Sequence, residues 1–368
     1  MKKTIRTAGM GRRGPLPVKR TQIADWVRRA IAVGRCKPGE RLHDRDWFCR
    51  KFGANSHSVQ SAFALLKEDG LIRPVPGHGT CVADPLPFAG RYLLLLKGDL
   101  ADGGSRFFSS ALETAARQIA RARGLVFEVE HLVEADEDSV EYAEMLDRVR
   151  RQRYAGVFAQ AASYGRGLDT VTNLDNVPMA LFALKGVFAQ GSQVVSPEGF
   201  RDFFDRILLC HLEGLRSRGC RRIAVFYPRM EKMSSVEAVL SRIRAAGLEL
   251  VPEGFQTMDV LNWDARQFTR FVRLFLNSSA GLQADGVILG DENFLAPFAE
   301  ACRGVLGREA KGRYVVSAHC NFPALPKIDF PMQFHGVDCT AMLESFVTFA
   351  DACRRADRRP PLPQAVVR

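Results

Sequence analysis

The stretch FGANSHSVQSAFALLKEDGLIRPVPGHGTCV, residues 52–82, changes its periodicity once, and that change decides how the N-terminal quarter is read. Behind Asn55 or Ser56, either of which can cap a helix start, Val59, Ala62, Phe63 and Leu66 recur at helical spacing. After Gly70 the pattern becomes two short extended pieces flanking Gly77-His78-Gly79, which predicts a β-hairpin, or wing. Upstream, Asp44 is a candidate cap for a shorter helix that buries Trp47, Phe48 and Phe52 and stops at Gly53. Further upstream, Ile23, Trp26, Val27, Ala30 and Ile31 form one apolar helical face that ends at Gly34. Two short helices a few residues apart predict a helix-turn-helix. The polar side of its second helix, made of Ser56, His57, Ser58, Gln60, Ser61, Ala64 and Lys67, is short or mostly neutral, which suits the floor of a DNA major groove better than a merely solvated face.

Charge is segregated in the same way. The chain carries a net charge of +11, yet residues 1–84 hold 17 Lys and Arg against 7 Asp and Glu, while residues 85–368 hold 35 against 34. Basic charge concentrated on a small domain is the footprint of a phosphate-backbone binder, although a basic tail alone serves solubility equally well. Residues 1–17 contain no acidic residue and several glycines and prolines, and are expected to form a flexible basic arm.

At 368 residues, with 46% hydrophobic and 25% charged, the chain has the composition of an ordinary globular protein with more than one core, which excludes fibrous and disordered classes. No apolar run approaches the roughly 20 residues of a membrane span, and Met1–Arg20 lacks the apolar core of a signal peptide, so a cytoplasmic location is expected. The nine cysteines are scattered, with no C-x-x-C pair and no histidine cluster at ligand spacing; reduced thiols, no metal and no cofactor are expected.

Four motifs in order now carry a resemblance. Gly34-Arg35-Cys36-Lys37-Pro38-Gly39-Glu40-Arg41-Leu42, Phe52-Gly53, Ser58-Val59-Gln60-Ser61-Ala62 running to Gly70-Leu71-Ile72, and Gly77-His78-Gly79-Thr80-Cys81-Val82 resemble the winged-helix domain of the GntR family of bacterial regulators. The resemblance covers about a sixth of the chain. It implies DNA contacts from Arg45, Asn55, Ser56, His57, Ser58 and Gln60 on the helices and from Gly77, His78, Gly79 and Thr80 in the wing, and the basic stretch that ends in Lys19 and Arg20 is expected to supply phosphate contacts. A solvated flank for Gln60 and a bare turn for His78 are the alternatives. The chain departs from the family at Asp46, where an arginine usually meets DNA, and in Asn55–Gln60, where both customary arginines are missing, so an unusual operator is expected.

The region 85–90 contains two prolines and is expected to be a linker. Beyond it, short apolar runs at 92–97, 126–130, 156–160, 179–183, 193–195, 222–227, 286–289 and 314–318 alternate with helical patterns at 108–123, 139–151, 197–218, 235–246, 266–276, 294–306 and 340–353. That alternation predicts an α/β majority with parallel sheets covered on both faces, two of them by count, behind a small α+β winged helix-turn-helix domain. Arg91–Asp99 with Arg106–Glu113, Gly219–Phe226 and Ala284–Asp291 resemble, over 91–355, the two-lobed periplasmic-binding-like effector domain of LacI-type regulators. The expected layout is thus arm 1–17, DNA-binding domain 18–84, linker 85–90, sensor domain 91–355 and a Pro/Arg-rich tail 356–368.

Ligands of open α/β sheets sit at the carboxyl ends of the strands. With the resemblance, that rule nominates Phe107, Phe108, Gln160, Tyr227, Asp291, Glu292, His319 and Asn321. Aromatic faces with carboxylates and amides suit a polyhydroxylated ligand such as a sugar, lobe packing or solvated loops being the alternative. One departure weakens the sugar reading: an arginine common in the family's second lobe falls at Ser235. Enzyme motifs are missing: there is no G-x-S-x-G, H-E-x-x-H, P-loop or strand-borne G-x-G-x-x-G. The expected function is a sequence-specific DNA-binding regulator, a repressor acting as a homodimer on a double-stranded operator, controlled by a small-molecule effector. The alternatives are a second domain that serves only dimerisation or protein contacts, and an α/β enzyme.

Overall fold

The computed structural model describes residues 19–96, 106–131, 139–161, 176–183, 194–195, 200–229, 236–259, 263–355 and 366–368. The expected basic arm and most of the tail lie outside the described residues. The chain divides into two compact units, Met1–Pro87 and Phe88–Arg368.

In the first unit α1 (Lys19–Ala32), α2 (Arg45–Phe52) and α3 (Ser56–Glu68) precede an antiparallel hairpin of β1 (Ile72–Val75) and β2 (Gly79–Val82). Both short helices start on a side-chain cap: Asp44 accepts from the Trp47 N–H at 2.8 Å and Asn55 from the Ser58 N–H at 2.8 Å. Gly53, at φ 55°, takes the left-handed conformation that ends α2 and lets the chain turn into α3. The core is Ile23, Val27 and Ile31 of α1 against Phe48 and against Val59, Phe63 and Leu66 of α3. Inside it Arg28 meets Asp69 at 2.6 Å and Asp25 at 2.8 Å, a buried ion pair that ties α1 to the end of α3.

The second unit holds two five-stranded parallel sheets. The first comprises β3 (Arg91–Leu95), β4 (Val126–Glu130), β5 (Gly156–Ala161), β6 (Met179–Ala183) and β7 (Val194–Val195), ordered β4-β3-β5-β6-β7, with α4 (Arg106–Arg123) and α5 (Val140–Arg150) between its strands. Next along the chain come α6 (Phe200–Ser217), β8 (Arg222–Pro228), α7 (Val236–Ala245), β9 (Glu249–Met258), α8 (Ala265–Leu276), α9 (Ser279–Gln283), β10 (Gly286–Leu289), α10 (Leu295–Leu306), α11 (Ala310–Arg313), β11 (Val315–Phe322), β12 (Gln333–Asp338) and α12 (Cys339–Arg354). The second sheet is ordered β12-β11-β10-β8-β9. Counted within each sheet, both orders are 2-1-3-4-5, the doubly wound pattern whose reversal point opens a crevice at the carboxyl ends of the strands.

The chain stitches the lobes together. Helix α6, which follows the first sheet, packs Leu208, Leu212 and Leu215 under Ile223 and Val225 of the second. Helix α12, which follows the second sheet, returns to the first: Phe346 lies edge-on to Tyr92 and Phe158, and the Tyr92 hydroxyl donates to Asp351 at 2.9 Å. Residues 366–368 come back once more, Val367 bridging Val337 on the outer side of β12.

Three readings need correction. Strand β11 continues to Phe322, so His319 and Asn321 stand within it rather than after it. Strands β9 and β12 escaped the sequence reading. Pro252, Gly254 and a bulge opposite Ile223–Val225 interrupt the alternation in β9, and β12 alternates weakly because it lies toward the sheet edge.

Candidate functional site

In the first unit, Lys19, Arg20, Arg45, Asn55, Ser56, His57, Gln60, Gly77, His78 and Gly79 are exposed, and Ser58 and Thr80 are partly so. The Asn55 carbonyl oxygen is occupied by its cap bond, and Lys19 Nζ donates to the Phe52 carbonyl at 2.8 Å, which ties the start of α1 to the end of α2. Sequence reasoning passed over two basic residues here. Arg41 runs along the hairpin, its Nε 3.4 Å from where a Gly79 Cβ would stand, and Lys51 lies 4.8 Å from the ring centres of both Trp26 and Trp47.

At the strand ends of the first lobe, Phe108 stacks on Phe182 at 4.8 Å, and buried Ser109 donates to the Gln160 side chain at 2.8 Å. Phe107 turns elsewhere, carrying the Arg106 guanidinium over its ring at 4.6 Å. Helix α4, which bears these residues, lies beside β11 of the other lobe.

In the second lobe the reversal point falls between β8 and β10. Tyr227 is the last residue but one of β8, and its ring fits because residue 290 is glycine: a Cβ there would stand 2.5 Å from Tyr227 Cδ2. Asp291, partly exposed, caps the short turn after β10 and accepts the Asn293 N–H at 2.9 Å and Nδ2 at 2.8 Å, both on Oδ1. Glu292 points the other way, accepting the Asn321 N–H at 3.0 Å and the Asn321 amide. Adjacent carboxylates therefore serve two different faces. Burial holds the Asp291 carboxyl up at about 6 against its bonds from Asn293, and the Glu292 carboxyl up at about 7 against those from Asn321. Burial pushes the His319 imidazole down to about 4, partly opposed by Asn321, so it is neutral at pH 7. Burial also raises the Tyr227 hydroxyl, Asp205 and Asp291 adding to the effect.

The sequence reading missed Ser109, Phe182, Asp205, Asn293 and a buried His211 that meets Ser317 at 2.8 Å. Asn293 was within reach of the strand-end rule, two residues past Asp291. Asp205 and His211 lie mid-helix on α6, where no local pattern marks them. Among the described residues no group of His, Cys, Asp and Glu is placed to hold a metal, and no helix is long and apolar enough to cross a membrane.

No protein-family model matches the chain. Over 110 residues, 28% of this chain, it is 33% identical to an uncharacterized HTH-type transcriptional regulator of Rhizobium meliloti (strain 1021), of whose length it spans 45%. Among solved structures, it is similar to a LacI family transcriptional regulator from Arthrobacter sp. FB24 in complex with lactose, at 13% identity and TM-score 0.51, over 72% of this chain and 90% of that one. The second unit has the LacI-type two-lobed fold. This LacI-type fold is likewise seen in the transcriptional regulator CelR–cellobiose complex, at 13% identity and TM-score 0.51, over 86% of this chain and 90% of the other. A third LacI-type structure, a regulator from Bifidobacterium animalis subsp. lactis, aligns at 12% identity and TM-score 0.51 over 76% and 94%.

Proposed function

We propose that the chain is a sequence-specific DNA-binding transcription regulator, a repressor, whose operator affinity is set by a small-molecule effector, a saccharide or a close chemical relative. The observation that carries the reading is the pairing, in one chain, of a basic three-helix unit ending in a hairpin with a LacI-type two-lobed unit whose strand ends present aromatic rings, carboxylates and amides. The first unit acts as a winged helix-turn-helix of the GntR type. In it α3 enters the major groove with His57 and Gln60, the hairpin tip with His78 reaches the flanking groove, and Lys19, Arg20 and Arg45 meet phosphates. In the second unit Phe108, Gln160, Tyr227, Asp291, Glu292, His319 and Asn321 line the effector cleft. The protein works in the cytoplasm as a homodimer on a two-fold symmetric operator, because one winged helix reads too few base pairs for a genome. The similarity to an HTH-type regulator of Rhizobium and the lactose and cellobiose in two of the similar structures support this reading.

Selection of random duplexes by the full-length chain at moderate salt tests it. An enriched pseudo-palindrome is expected, with half-sites about one helical turn apart or a multiple of it. A pool that shows no enrichment contradicts the reading.

A further inference from the structure

Three carboxylates gather at the strand ends of the second lobe, and the protein neutralises one of them. Asp205 is ion-paired with Arg242. Asp291 accepts hydrogen bonds from Asn293 alone and Glu292 from Asn321 and a neighbouring thiol, so among the described residues neither has a cationic partner. The imidazole at hand, His319, is held neutral by its own burial.

Unfilled acceptors stand in the same place. Both bonds to Asp291 fall on Oδ1, which leaves Oδ2 without a donor among the described residues. The Asn293 side-chain oxygen is buried and unpartnered, its residue 5% exposed. Tyr227 is 4% exposed, and its hydroxyl has no hydrogen-bond partner among the described residues although it lies in the field of Asp205 and Asp291. Asp291 is half withdrawn from water without a counter-charge, and a neutral polyol fills lone pairs but leaves that charge standing.

We propose that the site formed by Tyr227, Asp291 and Asn293 takes a ligand that bears a protonated amine, of the amino-sugar class, with Asp291 Oδ2 accepting from the ammonium group. The proposal rests on the effector-site reading above and narrows its chemistry. An ammonium group brings three donors and no acceptor, which suits the open lone pairs of Asp291 Oδ2 and Asn293 Oδ1 and leaves the Tyr227 O–H to donate to a ligand hydroxyl, and charge-assisted bonds are roughly twice as strong as neutral ones.

The test is calorimetric titration of the full-length chain at pH 7 with glucosamine, galactosamine and mannosamine, each beside its parent hexose and its N-acetyl derivative. At least one aminohexose should bind about tenfold or more tightly than both of its neutral counterparts, and Asp291→Asn should remove most of that advantage while circular dichroism shows a retained fold. Should Asp291→Asn fail to fold, Tyr227→Phe is the second variant, expected to weaken the aminohexose roughly tenfold. A parent hexose that binds as tightly as its amine overturns the amine while leaving a ligand site in place. Failure of every aminohexose to bind at millimolar concentration also overturns it. Operator binding measured on the same preparation separates either result from a failure of the regulator reading itself.

Discussion

Glu292 shows how a single buried carboxylate writes its environment into the pH dependence of stability. Its folded-state value, near 7, lies above its ordinary 4.5, so the folded protein holds the proton more tightly and stability falls as pH rises through that window. Glu292→Gln lacks this loss. Its stability relative to the natural protein should therefore climb between pH 4.5 and 7 by about 3 kcal/mol and then level off, as read by urea unfolding at several pH values. The buried His319 acts in the opposite sense, losing stability as pH falls from 6.5 toward 4, and cancels because both proteins contain it. Two parallel profiles would contradict this view of Glu292. On the first unit, Gln60→Ala should relax base preference at one or two operator positions, whereas removal of Lys19 and Arg20 should weaken all sequences alike and flatten the salt dependence of binding. At this scale the sequence was legible where chemistry is local: Asp44 and Asn55 are the caps that their spacing predicted. It was silent where partners are distant. Tyr227 and Asp205 are 22 positions apart and meet only because α6 crosses to the second sheet.

Helices with clean periodicity were read to within a residue or two, as at α5 and α12, and α1 and α3 bury the faces their spacing marked. Strands failed where the sheet gives the alternation little to record: β9 is bulged and broken by Pro252, and β12 carries Gly336 against the backbone of Cys320. Two contacts between elements make testable stability claims. Asp69→Ala leaves Arg28 charged in the core between α1 and α3, and denaturant unfolding should show a loss of about 3–5 kcal/mol; a change under 1 kcal/mol would mean that Asp25 or solvent takes over. Gly156→Ala drives a methyl group to 2.9 Å from the Phe346 ring and 3.0 Å from Ala350, where α12 returns to the first sheet. A loss of about 1–3 kcal/mol is expected, with reversal on trimming Phe346 to Leu. Failure of that rescue would show that α12 does not pack against β5 as described.

At the scale of the whole molecule, alternation of strands and helices was enough to announce two parallel sheets, and charge segregation was enough to set the first 84 residues apart from the rest. The exchange of α6 and α12 between lobes was not legible, because a helix records which face is buried but not which sheet buries it. That exchange bears on the regulation proposed above, since hinge closure around a ligand is one general route by which two lobes joined by chain crossings respond to it. A ligand shifts such an equilibrium only by its differential affinity for the two states, and a coupling of about 1–3 kcal/mol changes operator affinity roughly 5- to 150-fold. The decisive measurement is the affinity of the full-length protein for its selected operator, by fluorescence anisotropy, without and with a saturating cleft ligand. A shift of at least about fivefold in either direction, abolished by Asp291→Ala, is predicted. An operator affinity unchanged at full ligand occupancy, or an equal shift in Asp291→Ala, would contradict it.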